Sequence, residues 1–388
     1  MDPLSPAPAV IAVLAAIFTA YLLSLRFEPP PLQGRFVAID GLRGYLAFFV
    51  FLHHASIWYF YIHTDRWETP PSNLYTHFGE TSVALFFMIT SFLFFSKLLS
   101  AKTKPLDWAK LFISRLLRLY PLYLFAMVLV FGVVAIMSHG TLNEPGLKLL
   151  KASLRWLSFM GAPNLNGIDH TAIIIAQVTW SLPYEWLFYF SLPFFALLIG
   201  INPPKKYLIL AVFSLSTVPI WQPQGAYLLP FLGGIIAAFA VRWPVFRTFA
   251  HGSTASLVIL AVLAITVLVF PSSYAVLPLL LLSLAFSLIA AGNSLFGALS
   301  SPISRTLGEM AYSIYLLHGI VLFVVFTFVI GPDKARGMTP VSHWTVIISV
   351  VPLLILICYG AFRLIEQPAM NRTQAATTWV RARMSNIR

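Results

Sequence analysis

The chain has 388 residues, 59% of them hydrophobic and only 10% charged, with a mean hydropathy of +0.83. A water-soluble domain usually carries about 25% charged residues, so this chain cannot cover itself with polar surface and reads as an all-α, polytopic transmembrane helical bundle. The net charge of +12 would suggest nucleic acid in a soluble protein; in a membrane chain it is the Lys and Arg excess of cytoplasmic loops, and no nucleic-acid partner is expected.

Apolar runs of about 17–25 residues are read as spans. They lie near 8–25, 42–62, 80–99, 117–137, 173–199, 206–220, 225–241, 254–270, 273–292, 307–330 and 343–365, which predicts about eleven spans. The first follows "MDPLSPAP", which has no basic n-region, and no small-residue cleavage site comes after it, so it reads as an uncleaved anchor. Segment 97–118 holds Lys97, Lys102, Lys104, Lys110, Arg115 and Arg118 against Asp107, and is therefore expected in the cytoplasm. Alternation from there brings Arg26, Arg35, Lys205, Lys206, Arg242, Arg247, Arg305 and the tail's Arg363, Arg372, Arg381, Arg383 and Arg388 to the same side. The expected topology is N-terminus outside and C-terminus inside. The external loop 138–172 is expected to hold a short interfacial helix around 147–159, and no appended soluble domain is expected after the last span. Cys358, the single cysteine, excludes an internal disulfide. The histidines are scattered and the adjacent pair cannot both face one ion on a regular helix, so no metal is expected.

Ionisable residues inside spans carry the functional signal, because each is costly in lipid. In "GLRGYLAFFVFLHH" (41–54), Arg43 and His54 are separated by ten residues. At about 100° per residue they share one helix face, about 16 Å apart along the axis, while His53 is turned away by about 80°. The pair reads as a polar track into the bilayer, or, more plainly, as a snorkelling arginine and a hydrogen-bonded core histidine. Further along come "SRLLRLYPLYL" (114–124) with Arg115 and Arg118 a turn apart, and "TWSLPYEWLFYFSLP" (179–193) with Glu185 in an apolar span. "LGEMAYSIYLLHGIVL" (307–322) contains His318 with Tyr315 one turn before it, and "FRLIEQPAM" (362–370) contains Glu366 and Pro368.

In this order the five stretches resemble the acyltransferase 3 family of integral-membrane acyltransferases. The match runs from about 35 to 370 and rests on "GLRG" with His54 after it, the Arg-rich helix start before Pro121 and Tyr123, "WSL..E..FY", "SYS.YL.H"-like "AYSIYLLH", and the closing "E.P". One stretch departs: "SVALFFMITSFLFF" (82–95) has Ala84 where an acid often sits and Thr90-Ser91 where Ser-Gly is common. The resemblance implies three segments: an additional N-terminal helix and linker (1–34), a ten-helix membrane acyltransferase domain (35–370) and a short basic cytoplasmic tail (371–388).

It also implies a chemistry, the transfer of an acyl group from cytoplasmic acetyl-CoA or another acyl-CoA. The acceptor would be a hydroxyl on a carbohydrate, a lipid-linked glycan or a related small molecule, as in surface polysaccharide modification at a bacterial plasma membrane. His54 is the expected general base, with a covalent acyl-His as the alternative. Arg43, Arg115 and Arg118 are the expected clamps for the donor phosphates. Glu185 has three roles open to it: orienting His54, pairing with an arginine, or binding the acceptor. His318 is expected to support the base from behind or to bind acceptor, and Tyr315 and Trp180 are expected to bind acceptor. A secondary transporter or flippase is the rival class, suggested by Pro183, Pro193 and Gly233-Gly234. A purely structural scaffold would explain neither Arg43 with His54 nor Glu185.

Overall fold

The computed structural model describes residues 2–28, 36–103, 105–218 and 222–385. Arg35, Lys104 and Arg388 of the charge pattern, and the far end of the expected 206–220 span, lie outside the described residues. The fold is helical, with no named strand among the described residues. The first half contains α1 (Pro6–Arg26), α2 (Val37–Thr64), α3 (Asn73–Ser100), α4 (Trp108–Met137), α5 (Gly146–Leu157), α6 (Ser181–Leu198) and α7 (Lys205–Ser216). Next come α8 (Leu229–Ala240), α9 (Pro244–Ala250), α10 (Ser253–Val269), α11 (Val276–Ala290) and α12 (Pro302–Glu309). The last helices are α13 (Ala311–Val324), α14 (Pro332–Arg336), α15 (Pro340–Ala361), α16 (Gln367–Asn371) and α17 (Thr373–Ser385).

Among the described residues, six helices are long and apolar enough to cross a membrane, and a seventh span results if the bent α8–α9 pair counts as one. The protein is a multi-pass membrane protein. The described helices do not bear out eleven full-length spans one by one. α10 and α11 are apolar but short, and the run 173–199 is not one helix. Its first part forms two 3-10 turns, Thr171–Ile175 and Val178–Trp180, because Ala176 and Gln177 are left-handed, and α6 begins only at Ser181. The run 307–330 is likewise divided: α12 ends at Glu309, α13 follows, and a π-helical segment Val325–Ile330 completes it. The helix expected around 147–159 is present as α5, with Leu147, Leu150 and Leu154 exposed along one side and Trp156 buried.

The chain forms two compact units. The first comprises Met1–Ser96 and Pro223–Ile357, the second Lys97–Gln222 and Cys358–Arg388. Within the first, α2 packs on α12 and α13, α8 on α11, and α1 on α12. α1 buries its small side chains (Ala9, Ala12, Ala16, Thr19, Ala20) and exposes Ile11, Leu14, Phe18 and Leu22. Small residues let helix backbones approach closely, and the large apolar ones suit lipid. The start of the chain is fastened by two ring donors, Tyr75 Oη to the Ser5 carbonyl at 2.8 Å and Trp344 Nε1 to the Pro3 carbonyl at 2.9 Å. Gly233 and Gly234 do not interrupt α8; they lie against Met88 and Ser91 of α3, where a Cβ would collide. Close packing accounts for the pair without a transporter-type helix break.

In the second unit α4 is the central element, packed by α16, α17 and the π-helical segment Phe362–Glu366, while α6 packs on α7. Asp107 caps the start of α4 by accepting from the Lys110 amide at 3.0 Å, and it pairs with Arg381 of α17 at 2.6 Å. A capping carboxylate satisfies an otherwise orphaned N–H and favours the positive end of the helix.

Candidate active site

The "GLRG" stretch divides its labour by helix face. A Cβ at Gly41 would strike the Leu299 carbonyl, one at Gly44 would strike Leu307, and one at Gly308 would strike the Asp40 carbonyl. The glycines therefore let the first turns of α2 lie directly on α12 and its approach. Arg43, between them, meets Asp40 one turn earlier, Nη1 to Oδ1 at 3.9 Å. α2 then runs unbroken to Thr64, so Arg43 and His54 do share a face of one helix, as their spacing predicts.

At His54 the first unit brings two distant helices together. His54 Nδ1 lies 3.0 Å from the Val50 carbonyl of its own helix and 3.0 Å from His318 Nε2 of α13, 264 residues away in sequence. His318 Nδ1 in turn lies 2.8 Å from the Ile314 carbonyl. Both rings are buried, His318 completely. His53 is engaged elsewhere. Its Nδ1 donates to the Tyr75 carbonyl at 2.7 Å, and its ring fills the space left by Gly79 of α3. The half-buried Trp67, from the α2–α3 connection, lies over the His54 ring with centroids 6.1 Å apart and planes 20° apart. Tyr315, buried on α13, sets its ring edge-on to His318 at 6.5 Å and to Phe86 at 5.9 Å.

In the second unit, Glu185 of α6 accepts from Tyr189 Oη at 3.0 Å, and Arg115 of α4 hydrogen-bonds to Tyr189 and faces Glu185. Of its three open roles, pairing with an arginine is the one that this unit contains. Arg118 is held differently. Its hydrogen bond among the described residues goes to Met370 Sδ at 3.4 Å, a weak acceptor for a guanidinium. Trp180 immediately precedes α6, with its ring edge-on to Tyr184 at 5.8 Å. Glu366 is fully buried in the π-helical segment packed on α4.

Among the predicted site residues, then, His54, His318 and Tyr315 are gathered in the first unit, with Arg43 further along α2. Arg115 and Glu185 are gathered in the second, with Arg118 on α4 and Trp180 at the start of α6. Two participants are not evident from the sequence pattern as read above. Tyr189 is signalled by its i+4 spacing from Glu185 on a helix, whereas Trp67 sits in a connection where no periodicity operates. Chemically, the first unit offers an imidazole lone pair in a dry setting and the second offers guanidinium charge. Among the described residues, no group of three His, Cys, Asp or Glu side chains could hold a metal ion.

Comparison with known proteins adds the decisive observation. The family of acyltransferase domains matches residues 36–363, most of the chain. The chain belongs to the acyltransferase 3 family. Curated relatives in Staphylococcus aureus strains COL, MSSA476 and MRSA252 bear the provisional name O-acetyltransferase; the chain is 21% identical to each over 378 residues, covering 88% of its own length. It spans 58% of the length of those relatives. No solved structure matches it.

Proposed function

We propose that this membrane acyltransferase is an O-acyltransferase that moves an acetyl or other acyl group from acyl-CoA to a hydroxyl of a carbohydrate or lipid-linked glycan. The observation that carries the reading is His54, a buried imidazole on the same helix face as Arg43 in a chain of this family. A sugar hydroxyl is a poor nucleophile until a base in hydrogen-bond reach takes its proton. His54 takes that proton as the hydroxyl oxygen attacks the thioester carbonyl. The C–S bond then breaks, the thiolate of CoA leaves, and the proton on His54 passes to it. The products are an ester and free CoA thiol, and the histidine returns neutral.

The coenzyme's phosphates need cations, and planar guanidinium forks suit them. Arg118, whose weak thioether partner leaves most of its donors available, is the best supplied to hold them, with Arg115 one turn away and Arg43 in the first unit. Glu185 and Tyr189 hold Arg115 in place. Tyr315 and Trp180 are proposed to contact the acceptor. The name of the staphylococcal relatives supports acetyl as the acyl group. The Lys/Arg pattern supports an N-out, C-in topology in a bacterial plasma membrane.

The test is transfer of radiolabelled acetyl from acetyl-CoA into the membrane fraction of cells expressing the full chain. His54→Ala at matched expression should lower incorporation by about 10²–10⁴-fold while acetyl-CoA still binds. Near-normal incorporation by that variant would end the reading of His54 as the base.

A further inference from the structure

We infer that His318 is a positioning residue: with the Val50 carbonyl it holds the Nδ1 hydrogen of His54, fixes the ring's direction and leaves Nε2 as the nitrogen that takes the acceptor's proton. The inference rests on the reading of His54 as the base, but its first half, the tautomer, stands on hydrogen-bond geometry alone.

A carbonyl oxygen only accepts. His318 Nδ1, 2.8 Å from the Ile314 carbonyl, must therefore carry a hydrogen. In a neutral imidazole the other nitrogen then bears a lone pair. That lone pair, on Nε2, lies 3.0 Å from His54 Nδ1, which also lies 3.0 Å from the Val50 carbonyl. Both neighbours of His54 Nδ1 are acceptors, so it is the donor, and its N–H is shared between them. The reverse assignment would set a bare Nδ1 against the Val50 carbonyl and would need His318 either doubly protonated or bare against Ile314. Among the described residues, the side chains in ring contact with His54 are His53, His318 and Trp67, none of which supplies a negative charge for an imidazolium. One proton arrangement satisfies every contact.

The consequence falls on His54 Nε2, which is left with its lone pair. The hydrogen bond made by one ring nitrogen determines the state of the other. Here the partners are the Val50 carbonyl and a neutral histidine whose own tautomer is set by its helix. Both nitrogens of His318 are thereby engaged, which favours the supporting role over the acceptor-binding one of the two that the sequence left open.

The experiment uses the full chain in lipid nanodiscs with ¹⁵N-labelled histidine, the His54 signals being assigned by their loss in His54→Gln. The wild type should show His54 protonated at Nδ1 and bare at Nε2; protonation at Nε2 instead would overturn the inference. His318→Leu should keep the Nδ1 hydrogen on the Val50 carbonyl, but with the second acceptor gone the ring is less firmly aimed, and the rate of acetyl transfer at saturating acetyl-CoA should fall by about 10²-fold or more, with half-saturation by acetyl-CoA unchanged. His318→Gln, whose amide oxygen can accept the Nδ1 hydrogen, should recover most of that rate. A folded His318→Leu that turns over like the wild type would also overturn the positioning role. If His318→Leu does not fold, the wild-type tautomer decides. Loss of the base reading appears separately, as an active His54→Ala.

Discussion

The buried histidines of the first compact unit and the arginines Arg115 and Arg381 of the second are held by opposite means. In the first, three histidines each give an Nδ1 hydrogen to a main-chain carbonyl: His53 to Tyr75, His54 to Val50 and His318 to Ile314. No counter-charge is needed, so the rings can be buried beside Phe51 and Trp67 at little electrostatic cost. In the second, charge meets charge or phenol: Arg115 with Tyr189 and Glu185, and Arg381 with Asp107. Neutral groups fixed by backbone preserve a lone pair in a defined direction. Charged groups fixed by side chains preserve a field, and they fail when one member is lost.

The sharpest way to break this contrast is to compare neighbouring histidines. His54→Ala should remove transfer by about 10²–10⁴-fold, while His53→Ala, whose ring joins α2 to α3 at Tyr75, should act mainly on thermal stability and leave the rate per folded molecule within about 10-fold. Equal losses of rate in the same labelled-acetyl assay would mean that the histidines work as a group. Next in size, Arg118→Ala should weaken acetyl-CoA binding, measured by calorimetry or ligand-induced thermal shift. Loss of a hydrogen bond to a charged group costs about 1.5–3 kcal/mol, or about 10–100-fold in affinity. Its contact with Met370 is too weak for the change to unfold the chain.

A third measurement sharpens the charged side of the comparison. Arg115→Ala and Glu185→Gln should each destabilise the second unit, and the double variant should be more stable than the sum of the two predicts, with a coupling of about 0.5–3 kcal/mol in thermal melts. Additive losses would remove Glu185 as the partner of Arg115. The smallest effect concerns pH. Lys148, at 2.9 Å, and the Asn166 amide, at 2.7 Å, hold the Glu144 carboxyl below the usual carboxylate range. A carboxyl depressed in the folded state adds stability above its unfolded pKa and loses it as pH falls through the folded value. The protection of the Asn143 and Asn166 amides against hydrogen exchange, relative to the intrinsic rate at each pH, should therefore fall on acidification below the ordinary carboxylate range, with Glu144→Gln abolishing the dependence.

Much of the helical class and the family was legible because composition and short motifs are local properties. The shared face of Arg43 and His54 followed from helix geometry alone, and α2 keeps it by running unbroken from Val37 to Thr64. What could not be read was pairing at long range. Nothing in "AYSIYLLH" announces that His318 will meet His54, because the meeting depends on how α13 lies against α2. The run 173–199 misled for another reason: Ala176 and Gln177 adopt left-handed backbone against their ordinary preference, so hydropathy alone sees a span where the chain makes two tight turns. In Glu185 the sequence showed a cost without a partner, and Tyr189 supplies it.

The contact of α2 with α12 through Gly41, Gly44 and Gly308 bears on how genetic screens of such an enzyme are interpreted. Adding a single methyl at any of the three forces backbones apart and displaces the helix that carries His54, so a loss-of-function survey would score these positions as severely as the histidine itself. Intolerance to substitution would then mark both the chemistry and the hinge-less seam beneath it, with no phenotype to tell them apart. A glycine variant should fail by losing folded protein from the membrane, whereas a His54 variant should accumulate normally and be silent, and only the ratio of activity to abundance separates the two classes.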